Sequence, residues 1–164
     1  MGRRRGFSLI ELAVVIALIA LFGGVLLDRT IYYQEVAEKT SMEQVAADLR
    51  SSVNLRAAEL VLENRFTELD ALVLQNPFDL LVRKPPNYLG VLENPSAERA
   101  TSGSWYFDGK SKEVVYSIDL GRYFTPDEGG LKRVAWHVIV VPGADKPAVP
   151  QWARFELVKP YRWF

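Results

Sequence analysis

Apolar positions along this chain change their spacing twice, and the changes divide it into parts. From residue 7 to residue 27 they form a solid block of 21 residues in which only Ser8 and Glu11 are polar and only Gly23 and Gly24 interrupt. Wound as a helix, a block of that length spans about 30 Å, the thickness of a bilayer's hydrocarbon core. It predicts a single membrane span.

Beyond the block the apolar residues thin out to a stripe. Met42, Val45, Leu49, Val53, Ala57 and Leu60 recur at three- and four-residue steps, while Glu43, Gln44, Asp48, Arg50 and Asn54 fill the other sides. That is the period of an amphipathic helix. Residues 28–63 contain neither proline nor glycine, so the spacing predicts one continuous helix from 7 to 63, about 85 Å long. The stripe would suit either a globular head packed against it or a dimeric coiled coil.

Asn64 is placed to end that helix, and Thr67 with Asp70 three residues later resembles a capping box for a short helix through Leu74. Asn76-Pro77 stops this second helix, and Pro85-Pro86-Asn87-Tyr88-Leu89-Gly90 and Asn94-Pro95 read as extended loop or turn. Residues 64–102 thus form a connecting region. From Gly103 the period becomes two. Residues 104–107 and 113–120 make a hairpin around Asp108-Gly109, 133–141 a third strand and 152–158 a fourth. The fold class expected is α+β: a long N-terminal α-helix, its first half membrane-spanning, packed on a C-terminal antiparallel β-sheet of about four strands covering residues 103–164.

Composition narrows the function. Lysine plus arginine and aspartate plus glutamate balance at 20 each, so no basic field recommends nucleic acid as a partner. Cysteine is absent, which excludes disulfides, thiolate metal sites and cysteine nucleophiles. Arg3, Arg4 and Arg5 precede the apolar block and, by the positive-inside tendency, stay cytoplasmic while the bulk of the chain crosses. A cleaved secretory signal is the competing reading of the segment, but its end, Val25-Leu26-Leu27-Asp28-Arg29, offers no small-residue cleavage site.

One residue in the block defies hydrophobic logic. Glu11 lies about one turn inside it, where an ionisable group costs a few kcal/mol and is usually kept because it pairs with something. The stretch Gly6-Phe7-Ser8-Leu9-Ile10-Glu11-Leu12 behind its basic leader resembles the class III signal of type IV pilins and of type II secretion pseudopilins. The motif covers about a tenth of the chain. The resemblance implies that a prepilin peptidase cuts after Gly6 and methylates the new N-terminal Phe7, leaving residues 1–6 as the leader, and that Glu11 is retained. Losing three arginines with the leader leaves 17 basic against 20 acidic side chains, a net of −3. Residues 76–81 and 85–90 are also similar to pilin-like proteins of the MSHA and type II secretion kind. Many family members carry a proline near the membrane exit of this helix, where this chain has only Gly23 and Gly24.

Cleavage would place an ammonium at Phe7 and a carboxylate at Glu11, both in lipid or among packed helices, where each needs a counter-charge. They stand at i and i+4 on one face, so a neighbouring subunit shifted by one turn could offer its ammonium to Glu11. Alternatively, the carboxylate snorkels to headgroups. The expectation is a structural subunit, a minor pilin or pseudopilin of a type IV pilus or type II secretion pseudopilus, stored in the inner membrane with its head periplasmic. Its partners would be other pilin or pseudopilin subunits, the prepilin peptidase and the inner-membrane assembly platform. The alternative is a single-span, membrane-anchored periplasmic binding or sensory domain.

No catalytic residues and no cofactor are expected. His137, the only histidine, is more readily a satisfied sheet residue than a base, because no partnered serine or cysteine motif accompanies it. Asp127-Glu128-Gly129-Gly130 and Asp145 match no oxygen-ligand loop for calcium and suit turns better. Trp105, Tyr106, Phe107, Tyr161, Trp163 and Phe164 are expected to pack sheet against helix or pin the last residues, with a partner-docking cluster as the alternative.

Overall fold

In the computed structural model, which describes residues 8–93, 101–126, 130–142 and 150–164, the first element is a single helix of 54 residues, α1 (Leu9–Leu62). Both ends are closed by local chemistry. Ser8 is the N-cap, its hydroxyl accepting from the Glu11 backbone N–H at 3.1 Å, which satisfies one of the orphan donors of the first turn. At the other end Asn64 takes the left-handed conformation, φ 59°. The Arg65 N–H then returns to the Leu60 carbonyl at 2.8 Å and the Asn64 N–H to Val61 at 3.1 Å, a Schellman closure with asparagine where glycine is commoner.

The stripe on α1 is buried as its spacing predicts. Met42, Ala46, Leu49, Val53, Ala57 and Leu60 are each no more than 5 % exposed, with Val45 packed at the border. The sheet uses this stripe within one chain, which leaves it unavailable to a coiled-coil partner. A 3₁₀ turn (Phe66–Glu68) and a short helix α2 (Leu69–Leu74) follow. The expected capping box is not formed: the N-cap of α2 is Glu68, without a side-chain cap. Asn76 caps instead, its side chain accepting from the Phe78 N–H at 3.2 Å as Pro77 opens a second 3₁₀ turn. That turn drives Phe78 into the core.

Seven strands follow among the described residues: β1 (Tyr88–Leu92), β2 (Ser104–Asp108), β3 (Glu113–Ser117), β4 (Phe124–Thr125), β5 (Arg133–Pro142), β6 (Pro150–Leu157) and β7 (Arg162–Trp163). The main sheet runs β1-β2-β3-β5-β6, and β4 pairs with β7 in a two-stranded ribbon. Four strands stand where the period of two placed them. The sheet differs from the expectation in gaining β1, which lies in the connecting region and pairs parallel to β2. The Pro-Pro flank and Gly90 obscured it. Gly90 sits at φ +97° where the register slips between Tyr88 and Val91, a bulge that a side chain would strain. The Asp108-Gly109 turn closes the β2–β3 hairpin, with the Asp108 carboxylate accepting from the Lys110 and Ser111 N–H groups at 2.9 and 3.2 Å.

The core lies between the stripe and the inner sheet face. Trp105, Tyr116, Trp136 and Phe155 cross it as neighbouring rings: Trp105 and Trp136 centre 5.3 Å apart, and Trp136 stacks on Phe155 at 6.3 Å. Such pairs add roughly 0.5–1.5 kcal/mol each beyond the area they bury.

Candidate functional site

The first half of α1 is covered by no other described residue. Every described residue from 8 to 30 is exposed, including large apolar side chains such as Leu9 (87 %), Leu26 (67 %) and Ile19 (66 %). By length and composition α1 is the one described helix that could cross a membrane, and its most apolar 18-residue stretch is 0 % buried. Fully covering one Leu, Ile, Val or Phe side chain is worth roughly 1.5–3 kcal/mol. Summed along the segment, that outweighs the few kcal/mol a single intramembrane carboxylate costs. The segment therefore belongs in lipid or among other helices despite Glu11.

Glu11 occupies the third helical position, placed there by the Ser8 cap. Among the described residues its carboxylate has no hydrogen-bond or ion-pair partner, although its backbone is satisfied. Gly6 and Phe7, the expected cleavage and methylation positions, lie outside the described residues, as does the basic leader. Gly23 and Gly24 are helical, and a Cβ built on either meets nothing within 4 Å. Packing among the described residues gives no reason for glycine at either position, where each costs about 1 kcal/mol of helix stability relative to alanine.

Farther along the same helix a second carboxylate has the opposite surroundings. Glu35 is 0 % exposed and accepts from the Arg122 N–H at 2.7 Å, the Tyr123 N–H at 3.1 Å and the Trp163 indole N–H at 3.0 Å. One turn on, Glu38 accepts from the Asp119 and Leu120 N–H groups at 2.7 and 3.0 Å and from the Tyr116 hydroxyl at 3.1 Å. Glu43 accepts from the Tyr161 hydroxyl at 3.0 Å. These carboxylates clasp residues 119–123 and 161–163 to the helix just beyond the bare segment. Burial pushes the Tyr116 phenol well above its ordinary value, and the Glu38 charge pushes it further. Tyr161 moves the same way, by burial and then by Glu43.

Sequence reasoning missed this clasp. A signal was present, since Glu35 stands seven residues before Met42 and extends the stripe backwards. It is an acid where the helical period puts a core residue.

The remaining candidates fall partly within the described residues and partly outside them. His137 is half-buried in β5 between its register partners Glu113 and Glu156. Residues 127–129 and Asp145, weighed for calcium, lie outside the described residues. Among the described residues no three His, Cys, Asp or Glu side chains group to hold a metal. Trp105, Tyr106, Phe107 and Trp163 are buried, whereas Phe164 is 42 % exposed.

No curated protein and no solved structure matches the chain. Residues 1–27 do match a family model, the prokaryotic N-terminal methylation motif. The match covers the leader, the heptad with Glu11 and the bare apolar helix, and supports a prepilin-type substrate of the prepilin peptidase. Proteins of that kind are generally structural rather than catalytic. With its long helix laid on a mostly antiparallel sheet, this chain is an α+β, pilin-like protein carrying the N-terminal signal of the type IV pilin and pseudopilin family.

Proposed function

We propose that the chain is a structural subunit, a minor pilin or pseudopilin, of a type IV pilus or type II secretion pseudopilus. The prepilin peptidase cuts it after Gly6 and methylates Phe7. The mature protein waits in the inner membrane with its head in the periplasm, and the assembly platform then draws it into a helical filament. The bare half of α1 forms the filament core there, with the heads outside. Glu11 sets the axial register by receiving the Phe7 ammonium of a neighbouring subunit.

One observation carries the reading: a long exposed apolar helix that holds a carboxylate without a partner among the described residues. Lipid could cover the apolar surface, but a buried carboxylate asks for an opposite charge. The head lacks the cysteine pair common in major type IV pilins, which favours a minor subunit.

N-terminal mass spectrometry of protein from cells holding the peptidase tests processing. A chain beginning at N-methylated Phe7 is expected, and an intact Met1 leader overturns the proposal. Replacing Glu11 with alanine tests register: assembly is expected to fail or subunit order to change while the head stays folded, and unchanged assembly removes the register role. A binding-domain reading would instead use the groove of about 570 Å³ beside Phe124, Arg133, Lys159 and Tyr161. On that reading the leader would remain uncut.

A further inference from the structure

Between the bare segment and the buried clasp, a cluster of aromatic side chains is centred on Tyr32 of α1. Tyr32 meets Tyr33 at 5.6 Å, Tyr123 at 5.9 Å and Phe164 at 5.2 Å between ring centres, all edge-on, and Phe164 also meets Tyr123 at 5.8 Å. The cluster joins three separate parts of the chain, α1, the loop before β4 and the residues after β7. It stays accessible, with Tyr33 65 %, Phe164 42 % and Tyr32 36 % exposed.

Its height along the helix identifies the partner. Tyr32 and Tyr33 follow Leu27 by five and six residues, about 8 Å along the axis. Helix side chains also lean toward the N-terminus, which brings the rings back toward the apolar segment. The headgroup layer of one leaflet is roughly 5–7 Å deep beyond the hydrocarbon. With Leu27 at the hydrocarbon edge, the aromatic cluster falls within that layer, where tyrosine is enriched because its body is apolar and its tip is wet. Arg29 is exposed at the same height, so a pull from anionic lipid is what the lipid-composition arm of the test below separates from the rings, whereas the other two nearby cations are paired. The Arg122 guanidinium over Tyr123 is paired with Asp28 at 2.9 Å, and the Lys39 ammonium over Phe164 with Glu43 at 3.9 Å.

We propose that Tyr32, Tyr33, Tyr123 and Phe164 form a collar that seats the head in the phospholipid headgroup layer while the subunit is stored in the membrane. The collar fixes both the insertion depth of α1 and the closeness of the head to the bilayer, and it acts on zwitterionic lipid as well as anionic. It rests on the reading that residues 9–27 span the membrane.

The absence of cysteine allows a clean test by single spin labels on the full chain in phosphatidylcholine bilayers. A label at Ile19→Cys reports the span, and one at Arg122→Cys, in the loop of the head whose side chain reaches Asp28 at 2.9 Å, reports the collar. The Ile19 label is expected in the hydrocarbon and the Arg122 label at headgroup depth, with no change when phosphatidylglycerol is added or salt is raised. Tyr33→Ser combined with Phe164→Ser should move the Arg122 label outward by roughly the 5 Å of the layer, leaving the Ile19 label in the hydrocarbon. Tyr33→Ser alone, at the most exposed ring, should give a smaller shift, and Tyr33→Trp should keep the original depth. An Ile19 label outside the hydrocarbon would overturn the span and the collar together. With Ile19 deep, an Arg122 label already in water overturns the collar alone. So does headgroup depth that needs anionic lipid, or dipolar broadening between labels on two copies with a depth indifferent to the serine variants.

Discussion

Glu11 and Glu35 are the same residue type on the same helix, 24 positions apart, and their surroundings are opposite. Glu35 is sealed from water and satisfied by three N–H donors from residues 122, 123 and 163. Glu11 is exposed in an apolar segment and, among the described residues, its carboxylate has no partner. A carboxylate satisfied within its own chain serves the fold. One placed in an apolar segment without such a partner points to something outside the chain, and the two halves of α1 divide along that line. The second half holds the head by its carboxylates and its stripe, while the first half leaves its apolar surface uncovered by any described residue.

The contrast is sharpest in what each residue's loss should do. Glu35→Ala strands three buried donors, at roughly 1–3 kcal/mol each for a group left unsatisfied. We expect urea unfolding of the full chain in detergent, followed by tryptophan fluorescence, to show a loss of about 3–5 kcal/mol. Glu11→Ala in the same assay should stay within about 0.5 kcal/mol of the parent, with its effect appearing only in assembly. Equal losses would erase the distinction.

Packing should divide the helix at the same place. Leu49→Ala is expected to cost about 2–5 kcal/mol because Leu49 is wholly buried against the sheet. Leu18→Ala, on the bare segment, should leave the unfolding of the head unchanged.

The clasp also predicts an alkaline limb. Tyr116 and Tyr161 have folded-state pKa values raised above the ordinary phenol value of 10.0. Below that value both states hold the proton and the contribution to stability is complete. As pH rises above it, the unfolded chain releases protons that the folded chain keeps, so stability falls. A double Tyr116→Phe, Tyr161→Phe variant should lose less stability between pH 9 and about pH 11.5 than the parent, measured by thermal unfolding.

The smallest effect belongs to the exposed pair of Arg122 and Asp28, whose side chains are both 55 % exposed. Arg122→Ala should cost less than about 1 kcal/mol. A larger loss would mean that the clasp depends on this pair rather than on Glu35.

Much of the architecture was legible before any coordinates. The length of α1, its closure at Asn64, its stripe from Met42 to Leu60 and four of the strands follow from spacing alone, as does the odd placement of Glu11. Illegible were β1, the ribbon of β4 and β7, and the clasp. Each strand of that ribbon is two residues long, too short for any period to register. Strand β1 has an alternating burial pattern, yet its partner lies in parallel across an intervening stretch of chain, and no local turn announces such a pairing. The clasp needs backbone donors from two distant segments to converge on one carboxylate.

The division has a physical basis. Helix hydrogen bonds close within four residues and membrane insertion depends on a contiguous apolar run, so the sequence by itself determined an apolar helix long enough to span, the amphipathic extension and the anomaly at Glu11. Which surface covers the stripe, which strands pair, and whether an acid on the helix is buried or bare depend on groups more than 80 residues apart in the chain. Those outcomes were decided only when the tertiary structure brought residues 119–123 and Trp163 to Glu35 and Glu38, and Tyr161 to Glu43.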